Sequence, residues 1–287
     1  MSRKGYKITG FSICLLMLLL AFSLQLMSEA VGIAMAMAGL VMERGEPLSY
    51  QQLYRSMNTL LENNDIIMYL SVLAASVCGV VFGLWYYWGF VKKEMEEETG
   101  AVSFSALPRL ILLGIGLQLF LSMGLTMIEE WQPAWFEEYN KLMENLTIKD
   151  SLPAMAYVVL VGPVSEELIF RGAILSKAKR YLPFWQANAL QAFLFGVYHL
   201  NLIQGLYAFF IGIVFGAVRM CCDSIFASIV LHISFNATSV AVLYLVGEEE
   251  DIGWQTGSVV LAGGLVLATA MLVSFFRDRR KKEKKKE

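Results

Sequence analysis

Long apolar runs recur along the chain, and short polar stretches separate them. They lie near residues 9–27, 66–91, 107–128, 152–170, 202–220, 224–246 and 256–276, with a shorter eighth at 186–201. A bilayer core takes about 20 apolar residues in a helix. The pattern therefore predicts an all-α, polytopic membrane bundle of about eight transmembrane helices. Two further stretches carry apolar residues at helical spacing: Tyr50, Leu53, Tyr54, Met57, Leu60 and Leu61, and then Trp135, Phe136, Tyr139, Leu142, Met143 and Leu146. These read as helices lying in the interface, either capping the bundle or gating a substrate. No repeat, nucleotide-binding glycine loop or soluble domain is visible. Residues 1–287 read as one integral membrane unit, in which 1–150 hold four helices of unread role. Segment 151–247 carries the polar motifs, and 248–287 is a last helix with a basic tail.

Composition agrees, with 57% hydrophobic residues and only 17% charged. The net charge of -2 hides an asymmetry: Arg277, Arg279, Arg280, Lys281, Lys282, Lys284, Lys285 and Lys286 crowd the end of the chain. With eight spans and both termini in the cytoplasm, only Arg44, Arg55, Lys141 and Lys149 fall outside. The positive-inside rule favours that topology and a multi-pass protein of the cell membrane. Arg3, Lys4 and Lys7 before Ile8–Leu26 imitate a secretory signal. That apolar stretch exceeds the usual h-region of about 7 to 15 residues, so a retained first helix is expected. Cys14, Cys78, Cys221 and Cys222 show no disulfide spacing and read as packing residues. The lipid bilayer is the expected surroundings, and no nucleic-acid partner is expected.

The prolines punctuate this topology. Pro47, Pro133 and Pro183 fall in loops, whereas Pro108 and Pro153 stand at the first turn of a span, where a missing N–H is harmless. Pro163 alone lies inside a span. Beside Gly162 it should kink or open the helix just before Glu166. Broken backbone in a membrane normally lines a protein-walled or watered cavity.

The ionisable residues at depth cluster in three motifs. Such groups cost at least about 2.5 to 3.5 kcal/mol each on insertion scales, so they usually mark function. In Glu166-Glu167-Leu168-Ile169-Phe170-Arg171, Glu167 and Arg171 stand four apart on one helix face and can pair. Glu166 points about 100° away. Glu167 is thus the candidate structural carboxylate, and Glu166 the one left to take a proton. In Phe195-Gly196-Val197-Tyr198-His199, the ring one turn back can fix the imidazole, and Gly196 admits a close neighbouring helix. In His232-Ile233-Ser234-Phe235-Asn236, two hydrogen-bonding side chains aim at one spot. Asp223 and Ser224 suit an N-cap for this last helix. Counted at 1.5 Å per residue, His232 lies about 13 Å in from one side and Glu166 about 22 Å in from the other, compatible with one site.

Taken in order, the motifs resemble those of the CPBP intramembrane proteases, also called the CAAX-protease, bacteriocin-processing or Abi family: Glu-Glu-x-x-x-Arg, Phe-x-x-x-His and His-x-x-x-Asn. Residues 166–171, 195–199 and 232–236 match all three. The resemblance implies an intramembrane endopeptidase in which Glu166 and His199 activate water while His232 and Asn236 stabilise the oxyanion. It also implies a membrane-associated peptide or protein as substrate, prenylated Cys-a-a-X ends and bacteriocin-type peptides being the two branches. No cofactor is expected. The rival is a zinc site on Glu166, His199 and His232. Against it stand the absence of His-Glu-x-x-His spacing, the poor ligand Asn236 and the positive charge of Arg171. Gly205, Gly212 and Gly216 should let their helix pack tightly against the motif helices. The alternative to an enzyme is a membrane immunity or peptide-binding protein, or a proton-coupled transporter. A proton relay would spread carboxylates over several helices.

Overall fold

The computed structural model describes residues 3–92, 102–145, 151–246 and 253–285. Leu146, Lys149 and Lys286 lie outside them. All secondary structure among the described residues is helical, in ten helices. In chain order these are α1 (Arg3–Arg44), α2 (Tyr50–Glu62), α3 (Asn64–Tyr86, continued by a π turn over Tyr87–Val91), α4 (Leu107–Trp131) and α5 (Glu137–Asn145). Next come α6 (152–178), α7 (Phe184–Tyr198), α8 (Leu202–Cys222), α9 (Ile225–Val246) and α10 (Trp254–Lys284). Among the described residues, six helices are long and apolar enough to cross a bilayer: α1, α3, α4, α8, α9 and α10. Of the remaining expected spans, α6 is divided by π-helical segments and α7 has only 15 residues. The protein is a polytopic all-α membrane bundle.

Where the sequence pattern ended the first helix near residue 27, α1 instead runs on through Arg44, 42 residues in all. At 1.5 Å per residue that is about 63 Å, twice a bilayer core. Nothing in 28–44 stops it until Gly45, which adopts φ +70°. The first expected interfacial helix is present as α2, with Ser49 and Gln52 forming a capping box and no residue buried. Tyr50, Leu53, Tyr54, Met57 and Leu61 are exposed along it. The second, α5, is anchored by Phe136, which is buried against Tyr139.

Close helix approaches fall at glycines, which lack the Cβ that would hold two backbones apart. A Cβ on Gly116 of α4 would stand 3.0 Å from the Gly264 carbonyl of α10, and one on Gly264 would stand 2.6 Å from the Phe120 nitrogen. Two residues earlier, Gly114 faces Phe235 of α9 in the same way. Gly196 of α7 and Gly205 of α8 press on each other's carbonyls, as the sequence pattern predicted. Helix α6 sits in the middle. From Gly162 to Ser176 only Val164, Glu166 and Leu168 are less than fully buried. Its neighbours include α3, where Gly79 lies beneath Ser165, and α1, whose Cys14 thiol approaches the Ile174 carbonyl. All four cysteines are free.

Ion pairs tie α10 to the rest of the bundle at its basic end. Arg109 of α4 meets Asp278 at 2.7 Å and lies over the Phe275 ring. Arg279 pairs with Asp223 and with Glu283. Of the two residues expected to cap α9, Ser224 has its hydroxyl buried without a partner, and Asp223 closes α8 in the left-handed conformation (φ 51°), its carboxylate drawn to Arg279.

These approaches predict an asymmetric response of neighbouring glycines. Gly264→Ala should destabilise the protein by about 1 to 3 kcal/mol, the usual cost of overpacking, and so lower its thermal midpoint in detergent. Gly263→Ala, with nothing within 4 Å of its Cβ, should leave the midpoint unchanged or raise it. Equal midpoints for the two variants would contradict the packing.

Candidate active site

The site grows from the break in α6. Tyr157–Val161 form a π turn in which the Gly162 N–H reaches back five residues to the Tyr157 carbonyl. Gly162 is required there, since a Cβ would stand 2.9 Å from that oxygen. Pro163 follows, and a second π segment spans Glu167–Ile174. The expected opening before Glu166 is present, as a widening of the helix rather than a sharp bend. Widening changes the residues that share a face, and π segments often occur at functional sites.

Glu167 and Arg171 form the predicted pair, at 2.9 Å, with both side chains fully buried. The same carboxylate oxygen, Oε1, also contacts His232 Nδ1 at 2.9 Å. A carboxylate only accepts, so Nδ1–H donates and His232 turns Nε2 toward the other side. There it faces Glu166 Oε2 at 3.7 Å, too long for a direct hydrogen bond. Glu166 keeps a side-chain exposure of 16% against 0% for Glu167. The structure thus separates adjacent glutamates into a sealed one and a reachable one.

The guanidinium of Arg171 is enclosed by aromatic rings as well as by Glu167. It lies 4.3 Å from the Phe195 centroid and 5.3 Å from that of Phe215. Cation–π contacts of this kind gain strength when desolvated. Gly212 makes the space, for a Cβ there would stand 3.2 Å from Arg171 Nη2. Phe195 also packs edge-on to His199, centroids 4.7 Å apart, and lies 6.0 Å from His232. Phe215 flanks His232 at 4.9 Å. One ring therefore contacts the arginine and both imidazoles.

His199 is the residue at which α7 stops, and Leu200 follows with φ +54°. The last carbonyls of a helix lack intrahelical donors. His199 Nδ1 lies 2.8 Å from the Phe195 carbonyl, which accepts its proton. The Phe-x-x-x-His spacing thus lets the imidazole cap the end of its own helix besides meeting the ring. With Nδ1 committed, a neutral His199 carries its lone pair on Nε2. Asn236 shares the α9 face with His232, but its Nδ2 donates to the Val158 carbonyl of α6 at 2.7 Å.

Several contributors were missed in reading the sequence. Phe215 is one more aromatic in an apolar run. Asn188 and Gln191 are buried between α7 and α8: Asn188 donates to Ile213, and Gln191 to Asn188 and Gly212. Two amides three apart in a hydrophobic segment are a readable signal for such a link. From α1, Gln25 accepts from Tyr198, next to His199, and donates to Glu29. Among the described residues no three His, Cys, Asp or Glu side chains form a metal-holding group, so Glu166, His199 and His232 are not gathered as one.

Residues 148–238 match the family model Rce1-like, described as type II CAAX prenyl endopeptidase Rce1-like. This segment is similar to the CPBP/CAAX intramembrane proteases, the family that the three motifs resemble. The match covers less than half of the 287-residue chain but includes all three motifs and every contact among Glu166, Glu167, Arg171, His199, His232 and Asn236. No curated protein and no solved structure matches the chain. The family is one of peptidases.

The division between the glutamates is testable without a substrate. Glu167→Gln leaves Arg171 buried without a counter-charge and should cost about 3 to 5 kcal/mol, the penalty for breaking a buried pair. Glu166→Gln should change the thermal midpoint in detergent little. Equal losses in the two variants would refute the separation.

Proposed function

We propose that the chain is an intramembrane endopeptidase that cleaves a membrane-associated peptide or protein with water activated by Glu166 and His199. The observation that carries this reading is the placement of Glu166, a partly accessible carboxylate, beside His232, whose orientation Glu167 fixes, with His199 packed on the same Phe195 ring as His232. Peptide hydrolysis needs a base for water and donors aimed at the developing oxyanion. Glu166 and the Nε2 lone pair of His199 suit the first task. For the second, His232 is held through Nδ1 by Glu167 and, when protonated, can donate from Nε2, and the amide of Asn236 supplies a neutral donor with one N–H beyond that given to Val158.

Glu167 and Arg171 hold this arrangement rather than react. Catalysis is metal-free in this reading, since the amide of Asn236 is a poor zinc ligand and Arg171 adds a cation. The chain lies in the cell membrane with both termini in the cytoplasm, which keeps the lysine-rich end inside. Cleavage then falls in the cytoplasmic half of the bilayer. A prenylated Cys-a-a-X end is the substrate class nearest the family match.

The test uses the full chain in proteoliposomes with a farnesylated Cys-a-a-X peptide, the released tripeptide being read by mass spectrometry. Wild type should release it, and Glu166→Gln and His199→Ala should each abolish release, by a factor of about 10² or more. Release that survives both substitutions, or none from the wild type, would overturn the assignment.

Metal dependence is a separate test. The purified protein should hold far less than stoichiometric zinc by elemental analysis and keep its rate in a strong chelator. A rate lost to chelation and restored by added zinc would replace side-chain water activation with metal catalysis.

A further inference from the structure

Helix α6 has a gap in its hydrogen-bond ladder, and the gap is filled from another helix. The carbonyl of Val158 could accept from the residue four or five positions on. Gly162, four on, is committed to Tyr157, and Pro163, five on, has no N–H. A buried carbonyl without a donor is costly, above all in a membrane, where water does not replace it. Asn236 Nδ2 supplies the donor at 2.7 Å.

We propose that Asn236 is a positioning residue as well as an oxyanion donor: its amide replaces the backbone donor that Pro163 lacks and so splices the broken α6 to α9. The oxyanion half of that statement rests on the function proposed above; the splice does not. Glu166 stands three residues beyond Pro163 on α6, and His232 stands one turn before Asn236 on α9. The bond therefore fixes the two helices that carry the 3.7 Å approach of Glu166 to His232. It also orients the amide plane, leaving one N–H to point elsewhere. A proline in one helix and an asparagine in another are in this sense one device.

The prediction is a rescue. Pro163→Ala returns an N–H five residues after Val158, so it should compensate for loss of the amide. Asn236→Leu, similar in size but without a donor, should speed backbone hydrogen exchange across 157–167 about tenfold or more. The Pro163→Ala/Asn236→Leu protein should return to within about threefold of wild type, a non-additivity expected only if the two sites share one bond. Exchange unchanged in Asn236→Leu, or a double variant as open as the single one, would overturn the splice. If Pro163→Ala does not fold, the single Asn236→Leu measurement still decides. Exchange needs no substrate, so its outcome is independent of whether the farnesylated peptide is cut. Cleavage by the same proteins tests the other half: turnover that stays low while exchange is restored supports the donor role, and turnover restored along with exchange removes it.

Discussion

Everything at the site depends on one buried carboxylate oxygen. Glu167 Oε1 is shared by Arg171 and by His232 Nδ1, each at 2.9 Å. A charge this deep persists only if its partners stay in place, because its desolvation would otherwise cost several kcal/mol. The requirement propagates outward. Arg171 needs its aromatic walls, Phe195 and Phe215, and Phe215 needs α8 drawn in close by Gly196, Gly205 and Gly212. His232 needs α9 at a fixed rotation, which Gly114 of α4 permits by letting that helix approach. The glycines and the ion pair thus solve one packing problem from opposite ends.

Much of this was legible in the sequence because it obeys helical spacing. The Glu167–Arg171 pair follows from an i, i+4 offset, and the Phe195–His199 contact from another. The apolar runs give the bundle, and the small residues of α8 give its closest neighbour. What spacing could not supply was the partner across space. Nothing near Glu167 in sequence announces His232, 65 residues on, and the Asn236 amide engages a backbone carbonyl, which has no letter of its own.

The misreadings have physical reasons as well. Residues 28–44 open on two polar side chains, yet Ser28 donates to Leu24 and Glu29 accepts from Gln25 within the helix, so α1 continues where a hydropathy window ends it. Ser224 is a good N-cap residue by type, but its hydroxyl is buried without a partner, and its neighbour Asp223 is engaged by an arginine from α10 that only the folded protein brings near. The helix α1 also contributes Gln25 and Glu29 beside Tyr198, which brings the motif-free N-terminal part of the chain to the edge of the site.

The short α7 carries a last consequence. Its 15 residues span about 22 Å, less than the roughly 30 Å of a hydrocarbon core, and a helix end away from water must find partners for its last peptide groups. It does so by closing itself off. The carbonyls of Phe195, Gly196 and Val197 are taken by the His199 ring, the His199 N–H and the Leu200 N–H. A helix end sealed in this way needs no solvent of its own, and it occupies only one of the two ring nitrogens of His199. The ring that plugs the end of the helix is also the one whose remaining lone pair is open to chemistry.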